Sequence, residues 1–374
     1  MRDSFLHRLG YEEITKIGSC LRNGELVVSP FEDPLEEQRM WDPDLGDDDL
    51  NFALDNLCVS LEPELREGRN IEVKRLEKSS LVYFLDGSLR TKYVGEYSEG
   101  RLSCPLIVSE IGVTVVKREL RNVRPLTLKK RQYFIFPHKD SGLLSDTTYD
   151  RLHNLGEELE RNSSRTRVEF LQKTDIKGDV KYSMLGKVRS IMHDFEHDVG
   201  SSLERLSTEW LVMDGAIRKH EFMQLPNTIG LAKSFSRKPV LDVGRGKPIM
   251  LPLYLRGVKE GQRSAVFRKQ QETTEQLVFW YVRLRSLPQI EPLEGVVKID
   301  YNLRKDNLER EDIDRIDEIS AEIYSLRNPA IYPHRKWLST IYPIKFAEEC
   351  LSSSFTSKEI LGRIGGWLRH ATRS

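Results

Sequence analysis

An apolar run that ends in a carboxylate constrains this chain more than any other stretch. Leu81 to Leu85 (LVYFL) is aliphatic and aromatic throughout and stops at Asp86-Gly87-Ser88. Runs of this kind read as strands buried on both faces. A carboxylate at the C-terminal end of such a strand lies where open α/β sheets place their chemistry. The figure returns much later, where Glu209 to Met213 (EWLVM) leads into Asp214-Gly215-Ala216-Ile217. Asp-Gly after a strand is also the strongest short hairpin signal, so either stretch taken alone reads first as a turn. Their repetition favours two buried strands that bring two carboxylates to one edge of a sheet.

The rest of the composition narrows the class. A chain of 374 residues can bury one large elaborated domain or two ordinary ones. A formal net charge of zero gives no global attraction to nucleic acid, so any such function must rest on local patches. Cys20, Cys58, Cys104 and Cys350 are too far apart for a zinc or redox motif, and reduced thiols in a cytoplasmic protein are expected. The N-terminus lacks the apolar core of a signal peptide, and no run is long enough to span a membrane.

Residues 1–75 read as an N-terminal appendage, with a short amphipathic helix hinted by Phe5, Leu6, Leu9 and Ile14, then an acidic passage containing Asp47-Asp48-Asp49. That acidity repels DNA and lacks the ligand spacing of a calcium loop, so it reads as solvated or partner-facing surface. Residues 76–352 read as the main domain and 353–374 as a basic tail with one further helix. Strand patterns fill Ser80 to Phe136. Between them Lys117, Arg118, Arg121, Arg124, Lys129, Lys130 and Arg131 form a basic stretch, either a solvated face or the first place to look for phosphate contacts.

Helical spacing begins at Leu144. In the helix expected over Gly186–Leu206, Val188, Ile191, Met192, Phe195, Val199 and Leu203 form the buried stripe, and Glu196 lies on it. A core-facing carboxylate needs a partner, either a salt bridge to an arginine such as Arg189 or a metal ion beside the two aspartates. Lys233 leaves an apolar strand, Ile229–Ser234, as a single cation. Phe235 to Val266 reads as a Gly- and Arg-rich loop over one face, followed by strands at Leu277–Leu284 and Val296–Tyr301 and a helix at Glu309–Leu326. Pro343 suits the first turn of a last helix that carries Glu348 and Glu349. Carboxylates from two strand ends and a buried helix, joined by a polar group from this helix, suit two Mg²⁺ or Mn²⁺ ions about 3.5–4 Å apart, which can clamp the attacking water and leaving oxygen of a phosphodiester.

In the same order, these residues resemble the motifs of the NurA nuclease family from about Leu81 to Leu351. The family's strand and Asp-Gly-Ser match Asp86-Gly87-Ser88; its acidic helix residue matches Glu196; its second Asp-Gly matches Asp214-Gly215. The strand with a terminal lysine is similar to Ile229–Lys233, and the aromatic strand ending in a basic residue to Tyr281-Val282-Arg283-Leu284. The family's Tyr-Pro segment leading to Ala-His is similar to Tyr342-Pro343-Ile344 leading to Ala347-Glu348, with glutamate in place of histidine. His334, in Tyr332-Pro333-His334, is the alternative donor.

The resemblance implies an α/β protein with an RNase H-like mixed sheet flanked by helices. It also implies a manganese- or magnesium-dependent nuclease acting on DNA ends or single strands in end processing, DNA repair or phage defence. Asp86, Glu196, Asp214 and Glu348 would hold two ions, and Lys233 would neutralise developing charge. A homodimer working with a hexameric HerA/FtsK-like ATPase would follow. Two rivals stand beside it: a degraded RNase H-like DNA-binding or scaffold protein, marked by Glu348, and an unrelated metal-dependent phosphoesterase acting on nucleotides.

Overall fold

The computed structural model of the chain describes residues 10–29, 57–65, 67–72, 79–162, 165–217, 220–244, 247–270, 277–286, 291–328 and 335–373. Phe5, Leu6, Leu9, the Asp47-Asp48-Asp49 triplet and His334 lie outside the described residues.

The chain is a mixed α/β structure built on one large mixed sheet flanked by helices. Eight strands carry the part that matters for function: β1 (Leu81–Glu99), β2 (Leu102–Glu119), β3 (Asn122–Pro137), β4 (Thr166–Leu171), β5 (Trp210–Asp214), β6 (Thr228–Ala232), β7 (Leu277–Arg283) and β8 (Val296–Asn302). Across the sheet they run β7-β8-β6-β5-β1-β2-β3-β4. Strands β1, β2 and β3 form an antiparallel meander, whereas β5 and β6 lie parallel to β1. Beyond β6, β8 and β7 return antiparallel, and β4 closes the other edge parallel to β3. Short strands at Phe267–Lys269, Leu57–Ser60, Val240–Asp242 and Ile249–Met250 continue the sheet past β7.

Two sequence expectations are corrected here. Asp86-Gly87 neither turns the chain nor ends a strand, because β1 continues for 19 residues and pairs with β2 along almost its whole length. Only the parallel partner stops there: the β1–β5 ladder ends at Leu85 opposite Met213, so the carboxylates lie side by side where the sheet opens. Residues 235–266 are not simply a loop. They contain the helix Leu251–Gly257, whose Leu251, Tyr254, Leu255 and following Val258 bury against Phe267, Phe279 and Tyr281. Pro252 in its first turn is compatible with that start.

The helices that place the site are α1 (Tyr11–Cys20), α2 (Asp146–Arg161), α3 (Val180–Ser201), α4 (Arg310–Ser325), α5 (Tyr342–Ser354) and α6 (Lys358–Arg373). Helix α3 starts a turn and a half before Gly186 because Asp179 caps it, its Oδ1 accepting from Lys181 N at 2.7 Å. Its stripe of Met184, Val188, Ile191, Phe195 and Val199 packs on one face of the sheet against Leu85 and Met213. Helices α4 and α5 cover the opposite face, where Ile316, Ile319, Ile323, Ile344 and Ala347 meet Phe84, Val212, Trp280 and Ile299. A reciprocal cap between Glu309 and Asp312 sets the start of α4. Helices α1, α2 and α6 cluster over the outer half of β1 to β3, and Glu25–Val28 pairs with β1 at Gly95–Ser98.

One buried carboxylate ties α4 to the head of β1. Glu322 accepts from Ser80 N at 2.8 Å, Ser80 Oγ at 2.7 Å and Leu81 N at 3.2 Å, with Arg118 Nη1 at 3.3 Å. The four cysteines are free thiols. Among the described residues no helix is long and apolar enough to cross a membrane.

Candidate active site

Side chains alternate across a strand, and this alternation divides the acidic residues between the two faces. Phe84 and Asp86 point toward α5, while Leu85 and Gly87 point toward α3. Asp214 ends β5 on the same side as Val212, and Lys233 follows β6 in register with Ile229 and Leu231, so both also face α5. Glu348, on the second turn of α5, meets them. The Lys233 ammonium stands 2.8 Å from Asp214 Oδ2 and contacts Glu348 Oε1, while Lys345 Nζ lies 3.2 Å from Glu348 Oε2. Asp86, Asp214, Lys233 and Glu348 are therefore gathered at the point where β5 leaves β1.

Glu196 comes from the other face. Its carboxylate lies against Gly87, where a Cβ would collide with Glu196 Oε1, so this strand position must lack a side chain. Its partner is His193 one turn earlier, with Nδ1 2.9 Å from Glu196 Oε2, rather than Arg189, which is exposed.

Burial and mutual repulsion dominate the electrostatics. Burial, and then the charge of Asp214, push the Asp86 carboxyl well above the usual range, with Lys233 opposing. Burial likewise raises Asp214 against the pull of Lys233. Burial alone would raise Glu348 too, but Lys233 and Lys345 outweigh it and hold Glu348 low. Lys233 is raised because its two carboxylates overcome its burial. Asp214 Oδ1 is buried with no hydrogen-bond partner among the described residues, and the Asp86 carboxyl stands beside it. A pair of this kind invites a cation.

The donor types fit a hard divalent ion, which takes carboxylate oxygens. Their present spacing does not complete a site: among the described residues no group of three or more His, Cys, Asp or Glu is spaced to hold a metal ion.

Beside Lys233 and Glu348 a cleft of about 760 Å³ opens, lined further by Phe235, Arg237, Trp337 and Lys345. Sequence reading missed three participants. His193 and Lys345 each stand three residues from a singled-out glutamate, a spacing that is legible on any helix. Asp300 is a lone carboxylate in the apolar strand β8 and is only 1% exposed. It lies opposite Gly230 and accepts from Ile217 N at 3.2 Å, which pins the turn after Asp214; Lys298 Nζ stands 2.8 Å from its other oxygen.

The basic stretch splits because strand residues alternate. Arg118 is bound to Glu322 and Ser79, and Lys130 to Glu110 and the Ser354 carbonyl. Lys117 lies 3.6 Å from Glu119 and over the Tyr83 ring, and Arg131 lies over the Phe195 ring at 4.6 Å. Arg121 and Lys129 are exposed.

No family model matches the sequence, and no curated protein matches it. Among solved structures, the chain is similar to the NurA nuclease from Sulfolobus solfataricus, at 11% identity and a TM-score of 0.36, over 83% of this chain and 91% of that one. A likeness this loose carries no weight for chemistry, which rests on the site itself.

Proposed function

We propose that the protein is a metal-dependent deoxyribonuclease of RNase H-like fold. One observation carries the reading: Asp86 and Asp214 adjoin at the opening of a parallel ladder, beside a cleft lined by Phe235, Trp337 and charges of both signs, with Lys233 and Glu348 against them. The strand order supports the fold assignment, since an antiparallel meander β1-β2-β3 followed by β5 and β6 parallel to β1 is the arrangement such sheets use.

In this reading Asp86 and Asp214 would hold Mn²⁺ or Mg²⁺, with Glu196 and Glu348 as the further carboxylates that would join them. Bound divalent ions would supply an activated water and charge neutralisation at phosphorus. The protein's own groups do the positioning. Lys233 presents a fixed positive charge toward the scissile phosphate, His193 orients Glu196, and Asp300 holds the turn that aims Asp214. Arg121 and Lys129 are the exposed candidates for phosphate contacts along the hairpin. A homodimer and a HerA/FtsK-like ATPase partner in end processing or defence belong to the same proposal.

The test is cleavage of end-labelled single- and double-stranded DNA with Mn²⁺, Mg²⁺ or EDTA, beside Asp214→Ala. Metal-dependent products that vanish in the variant are expected. A second reading, a non-catalytic DNA-binding or scaffold protein, is favoured by one contact: Glu348 is already neutralised by two lysines. Folded wild type that neither cleaves nor binds Mn²⁺ by calorimetry would establish that reading instead.

Gly230→Ala tests the aim of Asp214. An added Cβ would stand 2.7 Å from the Gly215 carbonyl and 2.9 Å from Ile217 N, both main chain, so the turn must move. The variant should stay folded by circular dichroism yet lose about a hundredfold in cleavage rate, as a displacement of roughly an ångström does. Unchanged cleavage would remove this turn from the mechanism.

A further inference from the structure

We infer that a second cavity, at the end of β7, is a binding site for a small phosphate-type dianion held by Arg283, Arg256 and Lys259. Its basis is independent of the nuclease reading. Arg283 is the basic residue that ends the aromatic strand β7, and it has no part in the cleavage chemistry. It is 5% exposed. Its guanidinium donates to main-chain carbonyls: Nε to Val258 at 2.5 Å, Nη2 to Leu255 at 2.6 Å and Pro292 at 2.8 Å, and Nη1 to Glu294 at 3.1 Å. Burial lowers its pKa from the usual value, and no neighbouring carboxylate pulls it back. Carbonyl dipoles do not neutralise a buried cation, which ordinarily has an anionic partner. Arg263 shows the ordinary case in this chain, buried against Glu62 at 2.7 Å and Asp317 at 2.5 Å.

The plain alternative is a staple. Arg283 ties the end of the helix Leu251–Gly257 to the segment that leads into β8, and that accounts for its four hydrogen bonds. It does not account for its neighbours. Arg283 lines a cavity of about 480 Å³ with Arg256, Lys259, Glu260 and Glu291. Both acids are engaged by arginines outside the lining: Glu260 lies 3.7 Å from Arg285, and Glu291 pairs with Arg237. The charged groups of Arg256 and Lys259 meet no carboxylate among the described residues. Three cations thus share one cavity with no anion of their own, and one of the five N–H donors of Arg283 is left over. A guanidinium fork beside a lysine is the donor set that takes phosphate oxygens. The volume suits one small ligand. No aromatic ring lines the cavity among the described residues, so a base would find no face to stack on.

The experiment is calorimetric titration of the full chain in EDTA with inorganic phosphate, chloride being exchanged to hold ionic strength constant. Wild type should bind one phosphate with a Kd on the order of 1 mM. Arg256→Gln combined with Lys259→Gln should weaken binding about tenfold or more. Both side chains are exposed, so the urea midpoint in chloride should stay put, while phosphate should raise it in wild type and not in the double variant. Arg283 is left intact because its carbonyl contacts hold the fold. Competing 5′-phosphorylated and 5′-hydroxyl oligothymidines distinguish the sources of the anion. Displacement of phosphate by the phosphorylated strand alone assigns the site to a strand terminus, and displacement by neither assigns it to a free phosphate compound. Equal displacement by both strands, binding that the double variant leaves unchanged, or no binding by folded wild type overturns the site.

Discussion

Asp86→Asn should abolish cleavage and at the same time stabilise the metal-free protein. The two effects have one cause. Asp86 is 5% exposed and adjoins Asp214, so its ionised form suffers both desolvation and repulsion. A carboxyl whose folded value is raised contributes stability that is fully present below the unfolded value. It loses that contribution as pH rises from about 3.8 through the raised value. In EDTA, wild-type stability therefore carries a falling component from acid to neutral pH, to which Asp214 adds with the same sign. Glu348 is held low and works in the opposite sense, losing its contribution as pH falls, but it is common to both proteins and cancels in the comparison. Asparagine keeps the shape and drops the charge. Urea denaturation should show the variant gaining on the order of 1 kcal/mol at neutral pH and little at acid pH. Cleavage should fall about 10³-fold, because a group that acts as part of a unit costs nearly the whole effect when removed. Full activity in Asp86→Asn would sink the site assignment, and parallel pH profiles would sink the electrostatic account.

Much of this architecture could be read from the sequence because its strands around the site are apolar throughout. Glu209–Met213, Ile229–Lys233 and Leu277–Leu284 each become a strand within a residue or two, and Leu81 starts one where expected, since a continuous apolar run has nowhere to go but between two layers. The helices were equally legible where the stripe was long, as in α4 with Ile316, Ile319 and Ile323. What failed was punctuation. Asp86-Gly87 is turn chemistry, yet β1 runs through it because β2 supplies a partner on the far side and Gly87 makes room for Glu196. Pairing between distant strands overrode the local signal. The basic stretch misled for a related reason: a run of charges along a strand is divided between two faces, and Arg118 and Lys130 went inward to buried glutamates. Asp300 was missed because a carboxylate inside an apolar strand announces only that it has a partner. The partner is the main chain of a turn more than eighty residues earlier.

Lys233→Met should be the most destabilising change at the site, at about 3 kcal/mol in EDTA. Breaking a buried pair by removing one partner leaves the other charge uncompensated, and measured costs run to roughly 3–5 kcal/mol. The side chains of Lys233 and Asp214 are 20% and 16% exposed, so some water relieves the loss and the lower end applies. The cost should fall on Asp214 rather than Glu348, because Lys345 still neutralises Glu348 at 3.2 Å whereas Asp214 retains only the Asp86 carboxyl beside it. Double variants separate these outcomes. Adding Asp214→Asn to Lys233→Met should recover more than half of the lost stability, while adding Glu348→Gln should recover little. The reverse order of rescue would mean that Glu348, not Asp214, is the residue Lys233 serves. Mn²⁺ gives the same logic a second readout. The ammonium and a divalent ion compete for Asp214 Oδ2, so Mn²⁺ should raise the urea midpoint of Lys233→Met more than that of wild type. The variant that binds the ion better should nonetheless cleave about a hundredfold more slowly, since the positive charge facing the phosphate is gone.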